Sequence, residues 1–311
     1  MESLREIPPK IGRIFPDRKC LSMMIGERMK SRLVLGLFFT ALLSTAALTV
    51  AGSHDLEFQE NRPRPWLTKD LERGEAVVWY SFHSGWAVKT RNHLLVFDYV
   101  GPRSTSGEPS LETGHILPAE IAAQNVTVFV SHAHGDHYVP EVETWRKAVP
   151  GIRYVWGWPG VGAAEDIHFG EERISVTLDG LEVLNIHHAI DGIPESAFLV
   201  RTDGLSIIFA GDHAHRNGIA NPVFKSNLEY LAEQAPGLDL YFTPTFGGEM
   251  DAVRILKPRA VFPMHDGGNE GQYATFAARL EKAGFGGAVG VASRSGDRFF
   301  YAGGRLRTLL D

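Results

Sequence analysis

The chain has 311 residues, 44% of them hydrophobic and 22% charged, an ordinary globular balance for which disorder is not the default and which allows one large core or two small ones. Cys20 is its one cysteine, so a disulfide framework and a thiolate-held zinc are both excluded, and any metal has to be bound by histidine and carboxylate. The formal net charge is −6, and removal of residues 1–52, which hold eight basic and four acidic side chains, would bring it to about −10, a surface that repels a phosphate backbone and disfavours a nucleic-acid substrate.

Residues 1–28 show no periodicity and are assigned no fold. Met23, Met24 and Met29 are alternative starts. From Met29 the pattern sharpens: Lys30 and Arg32 form a basic region, Leu33 to Val50 are apolar or small, and Thr49-Val50-Ala51-Gly52 offers small residues for cleavage. Residues 29–52 are therefore expected to be an export signal, which places the mature protein in the periplasm or outside the cell. An uncleaved segment of this length would instead tether the chain to a membrane. Residues 53–75, polar and carrying Pro63 and Pro65, read as a linker or strap.

The folded domain is expected over residues 76–311. Strand-like runs at 76–80, 86–90 and 94–98 open it as a β-meander. Pro118 begins a short helix to Ala123 that leads into the β-branched run Val126-Thr127-Val128-Phe129-Val130. A helix is expected from Pro140 to Val149, stopped by Pro150-Gly151. Strands follow near 152–156, 173–178, 181–186, 197–201 and 205–210, with Asp203-Gly204 as a hairpin turn. Helices at 221–234, 248–256 and 270–283 then alternate with strands at 238–242 and 259–263, and strands near 298 and 306 close the chain. Mixed β and α of this kind suits a two-sheet core flanked by helices.

The chemistry concentrates in Ser131-His132-Ala133-His134-Gly135-Asp136-His137, directly after the 126–130 strand. Residues two apart in an extended segment face the same side, so His132 and His134 can reach one cation together. A turn at Gly135 can send Asp136 and His137 to a second cation close by. Asp212 ends the apolar run Leu205-Ser206-Ile207-Ile208-Phe209-Ala210-Gly211, where a carboxylate can bridge two cations with its two oxygens, and His265 ends Ala260-Val261-Phe262-Pro263-Met264. Leu181 to Ile186 ends in two further candidates, His187 and His188. Adjacent strand residues face opposite ways, so one of the two can ligate, with His188 preferred, and Asp191 could orient whichever does. His213 and His215 flank Asp212 as candidates for substrate binding or proton transfer.

His132-Ala133-His134-Gly135-Asp136-His137 resembles the H-x-H-x-D-H signature of the metallo-β-lactamase superfamily, and Phe209-Ala210-Gly211-Asp212 resembles its motif with the bridging aspartate. The resemblance implies an α/β fold, a four-layer αβ/βα sandwich, with one or two metal ions at the open edge between its sheets. It implies the ligand set His132, His134, Asp136, His137, His188, Asp212 and His265, with Asp136 and Asp212 as the carboxylates of catalysis. Two divalent ions are expected, zinc first, with manganese or iron as alternatives suited to nitrogen and oxygen donors. Tyr80-Ser81-Phe82-His83-Ser84-Gly85-Trp86 and Leu95-Val96-Phe97-Asp98 resemble the opening segment of the branch holding lactonase-like and phospholipase-like hydrolases, which makes His83 and Asp98 pocket candidates.

The expected activity is hydrolysis of a small-molecule or lipid-like substrate of the lactone, ester or amide class. A bridging water whose pKa falls from about 15.7 toward neutrality would serve as nucleophile. The alternatives are phosphodiester or phospholipid hydrolysis, a non-catalytic binding module on the same fold, and diiron redox chemistry. The chain has no G-x-S-x-G run, in keeping with a reaction that needs no serine nucleophile.

Overall fold

The computed structural model of the chain describes residues 66–104, 107–190 and 192–309. The expected export segment and Asp191 lie outside the described residues. Among the described residues no helix is long and apolar enough to cross a membrane.

The first sheet contains β1 (Glu75–Phe82), β2 (Gly85–Lys89), β3 (Leu94–Phe97), β4 (Val126–Val130), β5 (Arg153–Trp156) and β6 (Ile167–His168). β14 (Arg298–Ala302) and β15 (Arg305–Leu309) return to its other edge, giving the order β15-β14-β1-β2-β3-β4-β5-β6. The second sheet runs β13-β12-β11-β10-β9-β8-β7. Its strands are β7 (Ser175–Leu178), β8 (Leu181–Ile190), β9 (Ile193–Thr202), β10 (Leu205–Phe209), β11 (Leu240–Pro244), β12 (Ala260–Met264) and β13 (Ala288–Val289). Short helices α1 (Pro118–Ile121) and α2 (Glu141–Thr144) accompany the first sheet, and α3 (Pro222–Gln234), α4 (Glu249–Leu256) and α5 (Gly271–Lys282) the second. These are the four layers of a metallo-β-lactamase-type sandwich.

Side-chain alternation explains why β1 to β4 of the first sheet are buried along nearly their whole length. Val78 and Tyr80 of β1 join the core between the sheets, whereas Val77 and Trp79 pack with Ile121, Val142 and Trp145 on the sheet's other side. Leu67 and Leu71, ahead of β1, are buried in that same outer cluster, so this stretch straps the sheet. Between the sheets the apolar positions are filled by aromatics: Phe97 of β3 stacks on Phe209 of β10 and on Phe129 of β4, each at 4.8 Å between centroids. Those three rings lie at or one residue before the ends of their strands and form a floor. The residues that follow them in the chain stand above it.

Three elements differ in extent from the expectation, and β6 and β13 are strands it did not contain. The helix expected over Pro140–Val149 is one α turn, α2, followed by a 3-10 turn at Trp145–Lys147, which together bury Val142, Trp145 and Val149. The strand expected to stop at Ile186 continues through His187 and His188, and its partner begins at Ile193 rather than 197. Polar residues in these extensions face one another across the ladder, His187 opposite Ser196 and His188 opposite Glu195, so polarity does not end the strands.

Candidate metal centre

β3, β4 and β5 are mutually parallel in one sheet, and β10, β11 and β12 in the other, so the carboxyl ends of β3, β4, β10 and β12 gather at one edge. Ligand-bearing loops belong at such an edge. Asp98 follows β3, His132 to His137 follow β4, Asp212 follows β10 and His265 follows β12. His83 joins them from the turn between β1 and β2.

These side chains form two donor sets, each with ligand atoms within 4.8 Å of one another: His132, His134 and Asp212 in the first, His83, Asp136, His137 and His265 in the second. In the first, His132 Nε2 is 2.9 Å from His134 Nδ1 and 3.9 Å from Asp212 Oδ2. In the second, Asp136 Oδ2 is 3.2 Å from His83 Nε2, 3.9 Å from His137 Nε2 and 3.6 Å from His265 Nε2. Asp212 Oδ1 faces this second set, 3.3 Å from His137 Nε2 and 3.4 Å from His265 Nε2. One carboxylate thus offers an oxygen to each set.

The donors fit divalent cations. His137 Nε2 and Asp212 Oδ1 are buried without a hydrogen-bond partner, a costly arrangement for polar atoms that an ion between them would relieve. Imidazole nitrogens with carboxylate oxygens suit zinc, manganese or iron. Asp136 and His265 are partly exposed, and Phe246, itself exposed, sets its ring 4.7 Å from that of His265, which marks the open side of the centre.

Buried carboxylates fix the rings from behind. Asp98 Oδ2 accepts from His137 Nδ1 at 2.7 Å, which turns Nε2 to the centre, where a bound cation would take the place of its proton. The Ser131 hydroxyl donates to the same Asp98 oxygen at 2.6 Å and stands 2.9 Å from His132 Nδ1, and the Ser131 N–H donates to Asp98 Oδ1 at 2.7 Å. Glu195 Oε1 lies 3.5 Å from His132 Nδ1 and accepts the backbone N–H of Asp212. Gly157 and Gly211 are required here, because a Cβ on the former would meet the Ser131 carbonyl and one on the latter the Glu195 carboxylate.

Charge at the site follows this packing. Burial, aided by the positive field of His137, pushes His132 down to about 3, so its ring is neutral and ready for a metal. Burial would raise Asp212, but the His137 and His265 rings 3.3 and 3.4 Å from its Oδ1 outweigh it and hold the carboxyl far below its usual range. A hydrogen bond from His83 likewise lowers Asp136. Burial would lower His137, yet Asp212 and Asp98 together raise it well above the ordinary imidazole value. Burial dominates at Asp98 and Glu195, whose pKa values rise.

His83, Asp98 and His265 adopt positive φ angles of 55°, 41° and 66°, three of the seven described residues other than glycine that do so. Such conformations cost about 1–3 kcal/mol each and persist where the surroundings impose them. Here they are imposed by the site: the His265 N–H and the Tyr273 hydroxyl both donate to the His83 carbonyl, at 3.1 and 3.0 Å.

His132, His134, Asp136, His137, Asp212 and His265 therefore converge, and His83 and Asp98 take places in and behind the centre. His188 stands outside both donor sets, with its Nε2 3.3 Å from Glu195 Oε2 and its ring 4.7 Å from that of His213. His187, on the opposite face of β8, lies 3.4 Å from the Ser196 hydroxyl. His213 is buried against Asn227, and His215 bonds to Asn217 and Asn221, so both are held away from the donor sets. Sequence reasoning did not find Glu195. Its signal is a charged residue inside the run from Ile193 to Thr202, where every residue from Glu195 to Val200 is buried.

A family model described as a β-lactamase superfamily domain matches residues 77–265, and the chain belongs to that family. Among curated proteins it is similar to one described as a UPF0173 metal-dependent hydrolase from Thermococcus kodakarensis, 24% identical over 193 residues that cover 59% of this chain and 81% of the relative. Among solved structures it resembles a metallo hydrolase from Ignicoccus hospitalis with a TM-score of 0.52 and 18% identity, over 73% of this chain and 98% of that one. It also resembles a diiron β-hydroxylase from Streptomyces venezuelae, with a TM-score of 0.53, 15% identity and coverage of 78% and 55%. At these identities the two structures share the fold.

Proposed function

We propose that the chain is a metal-dependent hydrolase with two divalent ions, acting on a carbonyl substrate of the lactone, ester or amide class. The observation that carries this reading is Asp212, whose Oδ2 faces one donor set and Oδ1 the other. The hydrolase description of the Thermococcus kodakarensis relative supports it. Bound at the two donor sets, the ions would supply Lewis acidity and an acidified water.

The chain's own residues provide the rest. Asp98 and Glu195 keep the rings of His137 and His132 oriented, so that the metal-facing nitrogens need no reorganisation. Asp136 is presented by His83, and the open side at Asp136, His265 and Phe246 is where a substrate would enter. Phosphodiester or phospholipid hydrolysis is the second reading, since the same donors serve a phosphoryl centre. The acidic balance of the chain weighs against nucleic acid as substrate. We place the protein outside the cytoplasm on the strength of the basic and apolar stretch at residues 29–52. N-terminal sequencing of the mature form should begin near Gly52 to His54.

The deciding experiment compares the wild type with Asp212→Ala, using metal analysis, circular dichroism and a panel of lactones, β-lactams, thioesters and phosphodiesters. The variant should keep its secondary structure, lose ions from both sets and lose hydrolysis by orders of magnitude. Two tightly bound ions and near-normal turnover in the variant would refute the shared bridge.

A further inference from the structure

Beside the metal centre lies a cavity of about 520 Å³, lined among others by Phe82, Arg103, Gly268, Glu270, Arg294 and Ser295. It adjoins the site through two short connections. Phe82 precedes His83, with 6.0 Å between their ring centroids, and Gly268 follows Gly267, whose N–H donates to His83 Nδ1 at 3.1 Å. The cavity wall thus includes the chain neighbour of His83 and the chain neighbour of the Gly267 that bonds to it.

The charges in the cavity are unequally engaged. Arg294 is held by Asp297, its Nε 3.3 Å from Oδ1. Arg103 has no hydrogen-bond acceptor or carboxylate partner among the described residues. Its guanidinium instead lies over Phe82, 5.1 Å from the ring centroid, and a Cβ on Gly268 would come within 3.2 Å of its Nη1. Stacking restrains the plane of a guanidinium while leaving its N–H edge free, the arrangement suited to gripping a carboxylate with two parallel hydrogen bonds. The Ser295 hydroxyl, likewise without a partner among the described residues, adds a donor. Glu270, which also lines the cavity, opposes a second negative charge, which favours a monoanionic carboxylate over a phosphate dianion.

Resting on the hydrolase reading, we propose that this cavity is a substrate subsite, in which Arg103 binds a carboxylate carried on the arm of the substrate away from the scissile bond. The substrate class is thereby narrowed to hydrolysable carbonyl compounds that bear a free carboxylate.

The test uses the metal-loaded chain, wild type and Arg103→Gln, with two measurements. The first is hydrolysis of monophenyl adipate against its methyl-capped counterpart, followed by phenol release. The second is binding of hexanoate against hexanamide, followed by ligand-observed NMR. The wild type should prefer the free acid, and Arg103→Gln should lower kcat/KM for the acid about tenfold more than for the capped ester, mainly through KM, as expected for one charge-assisted pair. Hexanoate binding should weaken to the level of hexanamide, and Arg103→Lys should restore part of both effects. If no ester is cleaved yet hexanoate binding depends on Arg103, the subsite stands and the hydrolase reading falls. If both esters slow equally, or hexanoate binding is absent or indifferent to Arg103, the subsite is refuted.

Discussion

Asp98 Oδ2 and His137 Nδ1 lie 2.7 Å apart, both side chains fully buried, so that a carboxylate on the end of one strand decides which nitrogen of a neighbouring strand's histidine faces the metal centre. The contact joins the loops that follow β3 and β4. It is also where the strain of a positive φ at Asp98 is located.

Asp98→Asn tests this directly. The amide presents a donor or a weaker acceptor to His137 Nδ1, so the ring loses the partner that fixes its tautomer. Affinity for the ion of the second donor set should fall by about 10–100-fold with far-UV circular dichroism unchanged. Competition with a chromophoric chelator measures it, and unchanged affinity would show that Asp98 does not govern the ring.

The two adjacent histidines of β8 should behave differently. His188 shares a face with Glu195, which reaches His132, whereas His187 faces Ser196. His188→Ala should reduce metal content at the first donor set, and His187→Ala should leave it intact, as judged by elemental analysis of the purified variants. The reverse result would exchange their roles.

The metal-free chain should lose stability on acidification below pH 6.5, in part through His132. Its folded pKa of about 3 lies below the unfolded 6.5, so between these values the unfolded state binds the extra proton, and stability rises with pH. Asp136 and Asp212, with depressed folded values, add stability that is present above the unfolded 3.8 and lost as pH falls further. His137 acts oppositely: its raised folded value adds stability below pH 6.5 that is lost as pH climbs through that folded value. Thermal midpoints from pH 3 to 9 for wild type and His132→Gln measure the His132 share. The variant should show a shallower loss between pH 6.5 and 3, and identical slopes would remove His132 from the account.

Gly157→Ala should destabilise the fold by about 1–3 kcal/mol, the usual cost of forcing atoms into a packed site. Its new Cβ would meet the Ser131 carbonyl, which accepts the Ser196 N–H at 3.1 Å across the two sheets. Ser131 carries the hydroxyl between Asp98 and His132, so metal affinity should fall together with the thermal midpoint. A stable variant with normal metal affinity would show that the loop yields without consequence.

The sequence by itself determined the linear parts of this protein. The spacing of His132, His134, Asp136 and His137, and the carboxylate and histidine placed directly after apolar strands at Asp212 and His265, were legible because strand periodicity and ligand chemistry are both local. Most strands and the three long helices were legible for the same reason. What needed the tertiary structure were contacts between residues far apart in the chain. Glu195 behind His132, Asp98 behind His137 and His83 beside Asp136 are brought together by sheet order and register, which no local pattern encodes. The same holds for the strand ends at β8 and β9, where His188 stands opposite Glu195 across the ladder with its Nε2 3.3 Å from Oε2, so a polar pair that reads as a loop in the sequence lies inside a strand pair in the fold.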